Sequence, residues 1–496
     1  MICSIEEEVT SMREPGTLLP RCFSFSGMLV TLFLSVVFFF CSHRSIVSDP
    51  DIWWHLRNAQ YLFQQYAFLR QDLYSFTAHG KPWINPEWLA EIPYYIAWRW
   101  FGYRGVFVLA IGMIEALIGG CIALCWQKTG NIRAAILASF AFVLLATVSY
   151  GPRTLMFGWL CLIVELVVLQ GFSDGKDRLW ILPPLFALWI NLHGSWPIGA
   201  LFLVVYGLGR WRDLSWGSIY AIELTSAQRK HLFRIGVLCV AALVCNPYGW
   251  RLVAYPFGIV GQHHLTQSVV QEWQSLDFQG FNGRLFFVLL AGLLGMNMAR
   301  KRRWELHELL FVVISVGAAL TYSRFLILAG VIVTPYLARE FSVGAADGEK
   351  RDRPWLNAAF MAGLAGFVVF QIPSNMELKE QAERSYPAKA VAYLRTVPAG
   401  VPMMNDFNWG GYLLWNAPEV PVFIDTRADV FEQQGVLADY LDATKLARST
   451  EVLNKYHVGR VVFPPKEPLV SLLRQSSDWK VEYEDTIAVV LLRKTP

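Results

Sequence analysis

Charge is what this chain lacks most. Asp, Glu, Lys and Arg make up only 17% of its 496 residues, against roughly 25% in a soluble globular domain. With 54% hydrophobic residues, this scarcity excludes an ordinary soluble globule. It predicts an α-helical polytopic membrane protein with some polar segments. The net charge of +4 comes from short basic clusters, so no nucleic-acid partner is expected. Cysteine is absent from the long polar loops and from the polar C-terminal region. The eight cysteines are Cys3, Cys22, Cys41, Cys121, Cys125, Cys161, Cys239 and Cys245. That placement excludes a disulfide framework and leaves no metal-ligand spacing. Cys121 and Cys125 share a helix face and read as packing residues. No internal repeat or low-complexity tract is visible. A cleavable leader is not expected: Glu6, Glu7 and Glu8 open the chain, the first apolar run is too long, and no small-residue cleavage site follows it.

What is present is a series of apolar segments, at about 24–41, 106–126, 132–149, 154–171, 179–192, 196–209, 232–246, 285–299, 308–322, 325–338 and 355–372. They predict about eleven transmembrane helices. Lys and Arg set the orientation, because they concentrate on the inner side of a membrane. With Arg13 and Arg21 inside, alternate loops collect Lys128 and Arg133, then Lys176 and Arg178, then Arg210, Arg212, Arg229 and Lys230. Arg300 to Arg303, and Arg339, Lys350, Arg351 and Arg353, complete the series. The opposite loops mostly hold single basic residues such as Arg153 and Arg324. The reading is a cytoplasmic tail over 1–23, a transmembrane module over 24–372 and an extracytoplasmic C-terminal α/β domain over 373–496. Residues 341–353 read as a short inner linker.

The first external loop, 42–105, is rich in aromatic residues. Helical spacing over 52–68 and 87–101 predicts two amphipathic helices along the outer interface, joined by the turn-rich 72–86. In the C-terminal region helices are expected at 387–397, 432–455 and 467–475. Buried strands are expected at 420–425 and 458–463, and a hairpin at 479–493.

The stretch Ser48-Asp49-Pro50-Asp51-Ile52-Trp53-Trp54-His55 follows the first apolar run directly. Charged groups at membrane depth are costly, so the cluster suggests a site. The plain alternative is a turn and helix cap beside two interfacial tryptophans. The rest of the chain favours a site, since other unusual polar residues fall on the same face: Asn85, Glu87, Glu91, Arg153, Asn191, His193, Asn246, Glu272 and Arg324. Two carboxylates separated by one residue can bind a divalent cation beside phosphate oxygens, or one can act as a general base. Arginines at helix ends suit a phosphate or pyrophosphate. Together these predict group transfer from a lipid-linked phosphate donor. Plainer readings hold elsewhere: Glu115 and Glu165 as paired structural polars, His263 and His264 as solvated loop residues, His193 as a turn-binding histidine.

The motifs Asp49-Pro50-Asp51-Ile52-Trp53-Trp54-His55-Leu56, Pro82-Trp83, Glu87-Trp88-Leu89, Asn191-Leu192-His193-Gly194, Asn246-Pro247-Tyr248-Gly249, Gly410-Gly411-Tyr412-Leu413 and Phe423-Ile424-Asp425-Thr426-Arg427 occur in that order. This set resembles a group of bacterial multipass proteins described as GT-C-like, within the GT-C superfamily of integral-membrane glycosyltransferases. The resemblance covers most of the chain. It implies a polyprenyl-phosphate sugar donor, a catalytic acid in the first external loop and sometimes a divalent metal. Many relatives place a second acid next to the key Asp, whereas Pro50 separates the pair here.

The resulting expectation is an inverting glycosyltransferase of the bacterial inner membrane, acting at its outer face on a glycan, lipid or protein acceptor. Its expected catalytic group is Asp49, Asp51, His55 and Glu87. Arg153, Asn191, His193, Glu272, Arg324 and Trp83 are expected to bind donor or substrate. Asp49 and Asp51 are candidate ligands for Mg or Mn. Asn405, Trp409, Asp425 and Arg427 are candidates for orienting the acceptor. A transporter or flippase for a polar or lipid-linked substrate, and a non-catalytic scaffold, are the competing classes. Inverted repeats and midplane polar residues would favour transport.

Overall fold

The computed structural model describes residues 23–43, 46–262, 264–342, 353–398 and 400–494. The N-terminal tail, most of the inner linker and His263 lie outside the described residues.

A helix occupies each of the apolar segments. They are α1 Phe25–Ser42, the later part of α3 Trp88–Thr129, α4 Ile132–Leu145, α5 Leu155–Ser173, α6 Leu182–Leu192 and α7 Trp196–Gly209. Then come α8 Ser226–Ala242, α11 Phe281–Ala299, α12 Leu306–Thr321, α13 Leu326–Phe341 and α14 Pro354–Phe370, with the loop helices α9 Trp250–Gln262 and α10 His264–Val269 between α8 and α11. Among the described residues, five helices are long and apolar enough to cross a membrane, or six if a bent pair counts as one span. The shorter apolar helices are Leu179–Leu192, Trp196–Gly209 and Leu306–Thr321. The chain is therefore a mostly helical membrane protein.

Local chemistry sets the helix ends. Ser24 caps α1 by accepting from the Gly27 N–H at 3.1 Å, and Asn131 caps α4 by accepting from Arg133 and Ala134. Such caps satisfy amide groups that have no partner within the helix.

The basic loops gather at one end of the bundle. Lys128 pairs with Glu308, and Arg300 and Arg302 hold the buried Glu340. Strands β1 Leu214–Trp216, β2 Ile219–Ala221 and β3 Trp304–Glu305 form a small sheet there. Glu115 and Glu165 depart from expectation. Neither makes an ion pair or hydrogen bond among the described residues, and both Glu165 oxygens are buried without a partner.

At the other end lie α2 Asp51–Gln65 and the first turns of α3. Gly102, at φ +61°, breaks α3 and separates its amphipathic start from its membrane part. The expected amphipathic helices are thus both there, but α2 does not lie open along an interface. Trp53 is 0% exposed and meets Trp98, Tyr103, Tyr386 and Tyr412 edge-on. Trp54 is buried too. Burial on this scale rules out belt residues for both.

What covers α2 is the C-terminal region. Its sheet runs β4 Met403–Asn405, β5 Arg460–Phe463, β7 Val489–Arg493, β6 Trp479–Glu484. β4 and β5 are parallel; β7 is antiparallel to both its neighbours. The hairpin and the strand at 458–463 match expectation. The strand expected at 420–425 is not in the sheet: Asn405 pins it by accepting from the Phe423 N–H and donating to the Ile424 carbonyl, and Val422 bridges only to Ser75. The expected helix at 432–455 is three short ones: Ala428–Glu432, Val436–Thr444 and Ser449–Lys455. One continuous apolar core links this layer to the helices.

Gly411 sits at the contact between the layers. A Cβ there would lie 2.9 Å from the Pro50 carbonyl oxygen. Only glycine lets the helix Gly410–Asn416 press onto the start of α2.

Candidate functional site

Asp49 to His55 form a turn feeding a helix. The Asp49 Oδ1 accepts from the Asp51 N–H at 3.0 Å, which fixes the first turn of α2. Asp51 is then in that turn, where the helix dipole favours an anion. Its Oδ1 accepts from the Trp54 indole at 3.3 Å, and the same indole donates to Thr426 Oγ1 at 3.0 Å. Thr426 also hydrogen-bonds the Asp51 carboxylate. Burial and the Asp49 charge raise the Asp51 pKa; His55, Thr426 and Arg153 only partly offset them. Asp49 is held differently. Its Oδ2 accepts from Arg153 Nε at 2.6 Å. Arg153 reaches Glu272 with its other arm, so one guanidinium joins two carboxylates from separate loops. Burial disfavours the Arg153 charge, but Asp49, Glu272 and Asp51 more than compensate and keep it fully protonated.

Behind this pair runs a second polar chain. Glu91 is buried, and accepts from His55 Nδ1 at 3.0 Å, Asn58 Nδ2 at 3.0 Å and Asn85 Nδ2 at 2.7 Å. That full set of donors suits a buried carboxylate. Burial works against charge on His55, yet the Glu91 hydrogen bond and the charges of Glu91, Glu87 and Asp51 hold its pKa above the ordinary value. Glu87 accepts from Thr154 Oγ1 at 2.8 Å, and its Oε1 is 3.2 Å from His193 Nε2. The Ser195 N–H donates to His193 Nδ1 at 3.0 Å, so the His193 proton sits on Nε2 and points at Glu87. Burial, with the Arg324 and His55 charges, pushes the His193 pKa down to about 3, and the ring is neutral. Burial pushes Glu87 up to about 7, against the pull of His55 and the Thr154 hydrogen bond. The turn-binding role of His193 is therefore real, and the ring also serves Glu87.

Arg324 stacks its guanidinium 4.3 Å from the Trp273 ring centroid. It makes no ion pair or hydrogen bond among the described residues, yet Glu272, Arg153, Glu87 and Asp51 all feel its charge. It is the cation of the site with donors to spare.

The structure thus brings together Asp49, Asp51, His55, Glu87, Arg153, His193, Glu272 and Arg324. It removes others. The Asn191 amide donates to the Ala187 and Cys245 carbonyls, and its oxygen accepts from the Trp88 indole, so its capacity is spent on the fold. Trp83 is buried beneath Arg427, its indole donating to Asp429. Arg427 and Asp425 form a buried clamp: Arg427 donates to Asp425 at 2.6 Å and to Asp72 of the first loop at 2.7 Å. Asn405 is buried against the backbone, and the Trp409 indole donates to the Ser385 carbonyl. Each oxygen of Asp49 accepts one hydrogen bond, Oδ2 from Arg153 and Oδ1 from the Asp51 N–H. Among the described residues no three His, Cys, Asp or Glu groups are placed to hold a metal. Sequence reasoning missed Thr154 and Thr426. Thr154 adjoins Arg153 and Thr426 lies inside a quoted motif, but a lone threonine carries no signal of its own.

No family model matches the chain, and no curated protein matches it in sequence. Solved structures do match. One is the Archaeoglobus fulgidus oligosaccharyltransferase tethered through a disulfide to an acceptor peptide containing the NVT sequon. The TM-score is 0.56 at 12% identity, over 96% of this chain and 75% of that one. The apo form of the same enzyme gives 0.51 at 12% identity, over 94% and 74%. This chain has a fold like that of the oligosaccharyltransferase.

Proposed function

We propose that the chain is a membrane glycosyltransferase that moves a sugar from a polyprenyl-phosphate-linked donor to an acceptor at the outer face of an inner membrane. The observation that carries the reading is Asp51, a buried carboxylate with a raised proton affinity, in one polar cluster with Arg324, a guanidinium that stacks on Trp273 and makes no ion pair or hydrogen bond among the described residues. A general base works best when its pKa is lifted toward the working pH. Arg324 supplies the fork that fits a phosphate. Asp49, tied to Arg153, orients Asp51 through its amide.

The chemistry follows in one displacement. The Asp51 carboxylate accepts the proton of the acceptor hydroxyl. The hydroxyl oxygen bonds to the anomeric carbon from the face opposite the phosphate. The carbon–oxygen bond to the phosphate breaks, and the phosphate leaves with its electron pair against Arg324. The configuration inverts. Glu87, held by Thr154 and His193, lies next in line to receive the proton. The acceptor is a glycan, a lipid or a peptide, the last by analogy with the peptide-tethered oligosaccharyltransferase. The Lys and Arg distribution supports an inner N-terminus, an outer site and about eleven crossings.

Mass spectrometry of surface glycans and glycoproteins tests this. Cells lacking the chain are complemented with the native sequence, Asp49→Asn or Asp51→Asn. A sugar present with the native chain and absent with Asp51→Asn is expected. Full restoration by Asp51→Asn would remove the mechanism.

A further inference from the structure

The placement of Arg153 bears on what holds the acids together. Asp49 closes the stretch after α1, and Glu272 lies in the turn Gln271–Trp273, far along the chain. Two carboxylates brought to one place in a partly desolvated site need a cation between them. In a metal-assisted group transfer that cation is a divalent ion such as Mg2+, which asks for carboxylate oxygens at about 2.0–2.1 Å. Here the space is filled. Arg153 Nε donates to Asp49 at 2.6 Å, and its Nη1 pairs with Glu272. The remaining Asp49 oxygen is taken by the Asp51 N–H. Gly151 closes the flank, since a Cβ there would stand 3.1 Å from Asp49 Oδ2. Hydrogen bonds from Ser323 to the Glu272 and Gln274 carbonyls hold the Glu272 turn against the Arg324 helix end.

We infer that Arg153 stands in the position of a divalent cation, so that this site is built to work without one. Arg153 binds the two carboxylates that would be metal ligands, and Arg324 adds a second positive charge. Two guanidinium groups carry the charge of one Mg2+ or Mn2+ in a fixed arrangement. The statement about cation binding stands on geometry alone. The part concerning the donor phosphate rests on the sugar-transfer reading.

The test uses the full chain in detergent, with Mn2+ as the probe. Mn2+ binding is followed by electron paramagnetic resonance, and thermal unfolding is compared in Mn2+ and in EDTA. The native chain is expected to show no saturable Mn2+ binding that depends on Asp49, and the same Tm in both conditions. Arg153→Asp puts a third carboxylate between Asp49 and Glu272. It is expected to gain saturable Mn2+ binding and a Tm that rises with Mn2+, both lost when Asp49→Asn is added. Saturable Mn2+ binding by the native chain that Asp49→Asn removes would overturn the inference. So would a folded Arg153→Asp variant indifferent to Mn2+. If that variant does not fold, the native chain and Asp49→Asn decide the matter between them. Sugar transfer that EDTA abolishes and Mn2+ restores would also overturn it. Absence of any transfer, with the Mn2+ results as expected, would instead count against the sugar-transfer reading alone.

Discussion

Arg427→Met probes how the C-terminal layer is fastened to the first external loop. The Arg427 side chain is buried and gives hydrogen bonds to Asp425 at 2.6 and 2.9 Å and to Asp72 at 2.7 Å. Its guanidinium also lies 5.0 Å from the Tyr74 ring and 4.7 Å from the Trp83 ring. Methionine keeps much of the volume and removes the charge. Asp72 would retain two donors, the Ser75 N–H and Oγ. Asp425 would retain only the Arg427 N–H, at 2.9 Å. Breaking a buried pair from one side costs about 3–5 kcal/mol, and the upper part of that range applies to Asp425. For a chain of this size the loss corresponds to a fall in Tm of roughly 4–5 °C. Thermal unfolding in detergent measures it. Adding Asp425→Asn should recover part of the loss, because the orphaned charge is then gone. Sugar transfer should also fall well below the new Tm, since the adjacent Thr426 holds the Trp54 indole that contacts Asp51. A single variant that unfolds within about 2 °C of the native chain, or a double variant less stable than the single one, would refute the clamp.

The remaining predictions concern the site itself. Glu87 titrates near 7 in the fold and near 4.5 when free, so the protonated form is the one the fold favours. Its stabilising effect is complete below about pH 4.5 and is lost as pH rises through about 7, a swing of about 3 kcal/mol. The Tm of the native chain should therefore fall relative to Glu87→Gln between pH 5 and 8; parallel curves would contradict the shift. Gly411→Ala places a Cβ 2.9 Å from the Pro50 carbonyl and should cost about 1–3 kcal/mol. Transfer should drop more steeply than stability, because Pro50 lies between the two acids; unchanged Tm and activity would show that the layers have room. Arg324→Gln should raise the KM for the lipid-linked donor about 10–100-fold, the value of a charge-assisted hydrogen bond of about 1.5–3 kcal/mol. An unchanged KM would take the phosphate from Arg324.

Hydropathy made the helices legible, because each apolar segment had to bury its backbone bonds internally in lipid. The acids were legible for a related reason: charge beside a membrane is too costly to be placed idly, so Asp49, Asp51, Glu87, Arg153, Glu272 and Arg324 stood out. Their partners did not. Arg153 meets Asp49 and Glu272 across 104 and 119 residues, and no local pattern announces such a pairing. The partners of Asn191, Asp425 and Arg427 were hidden for the same reason. A polar residue spent on holding a fold together looks, in sequence, like one waiting for a ligand. Residues 420–425 have a strand's composition, yet their backbone is satisfied by the Asn405 side chain and by Phe76 and Thr77 of the first loop. β4 escaped notice because Met403–Asn405 is only three residues long.

The most direct measurement is transfer by the purified chain, reconstituted in lipid, from a polyprenyl-phosphate donor carrying a labelled sugar. The native chain should label an acceptor extract, and Asp51→Asn should lower the rate by about 10²–10⁴, the usual worth of a positioned general base. Native-like transfer by Asp51→Asn would contradict the account.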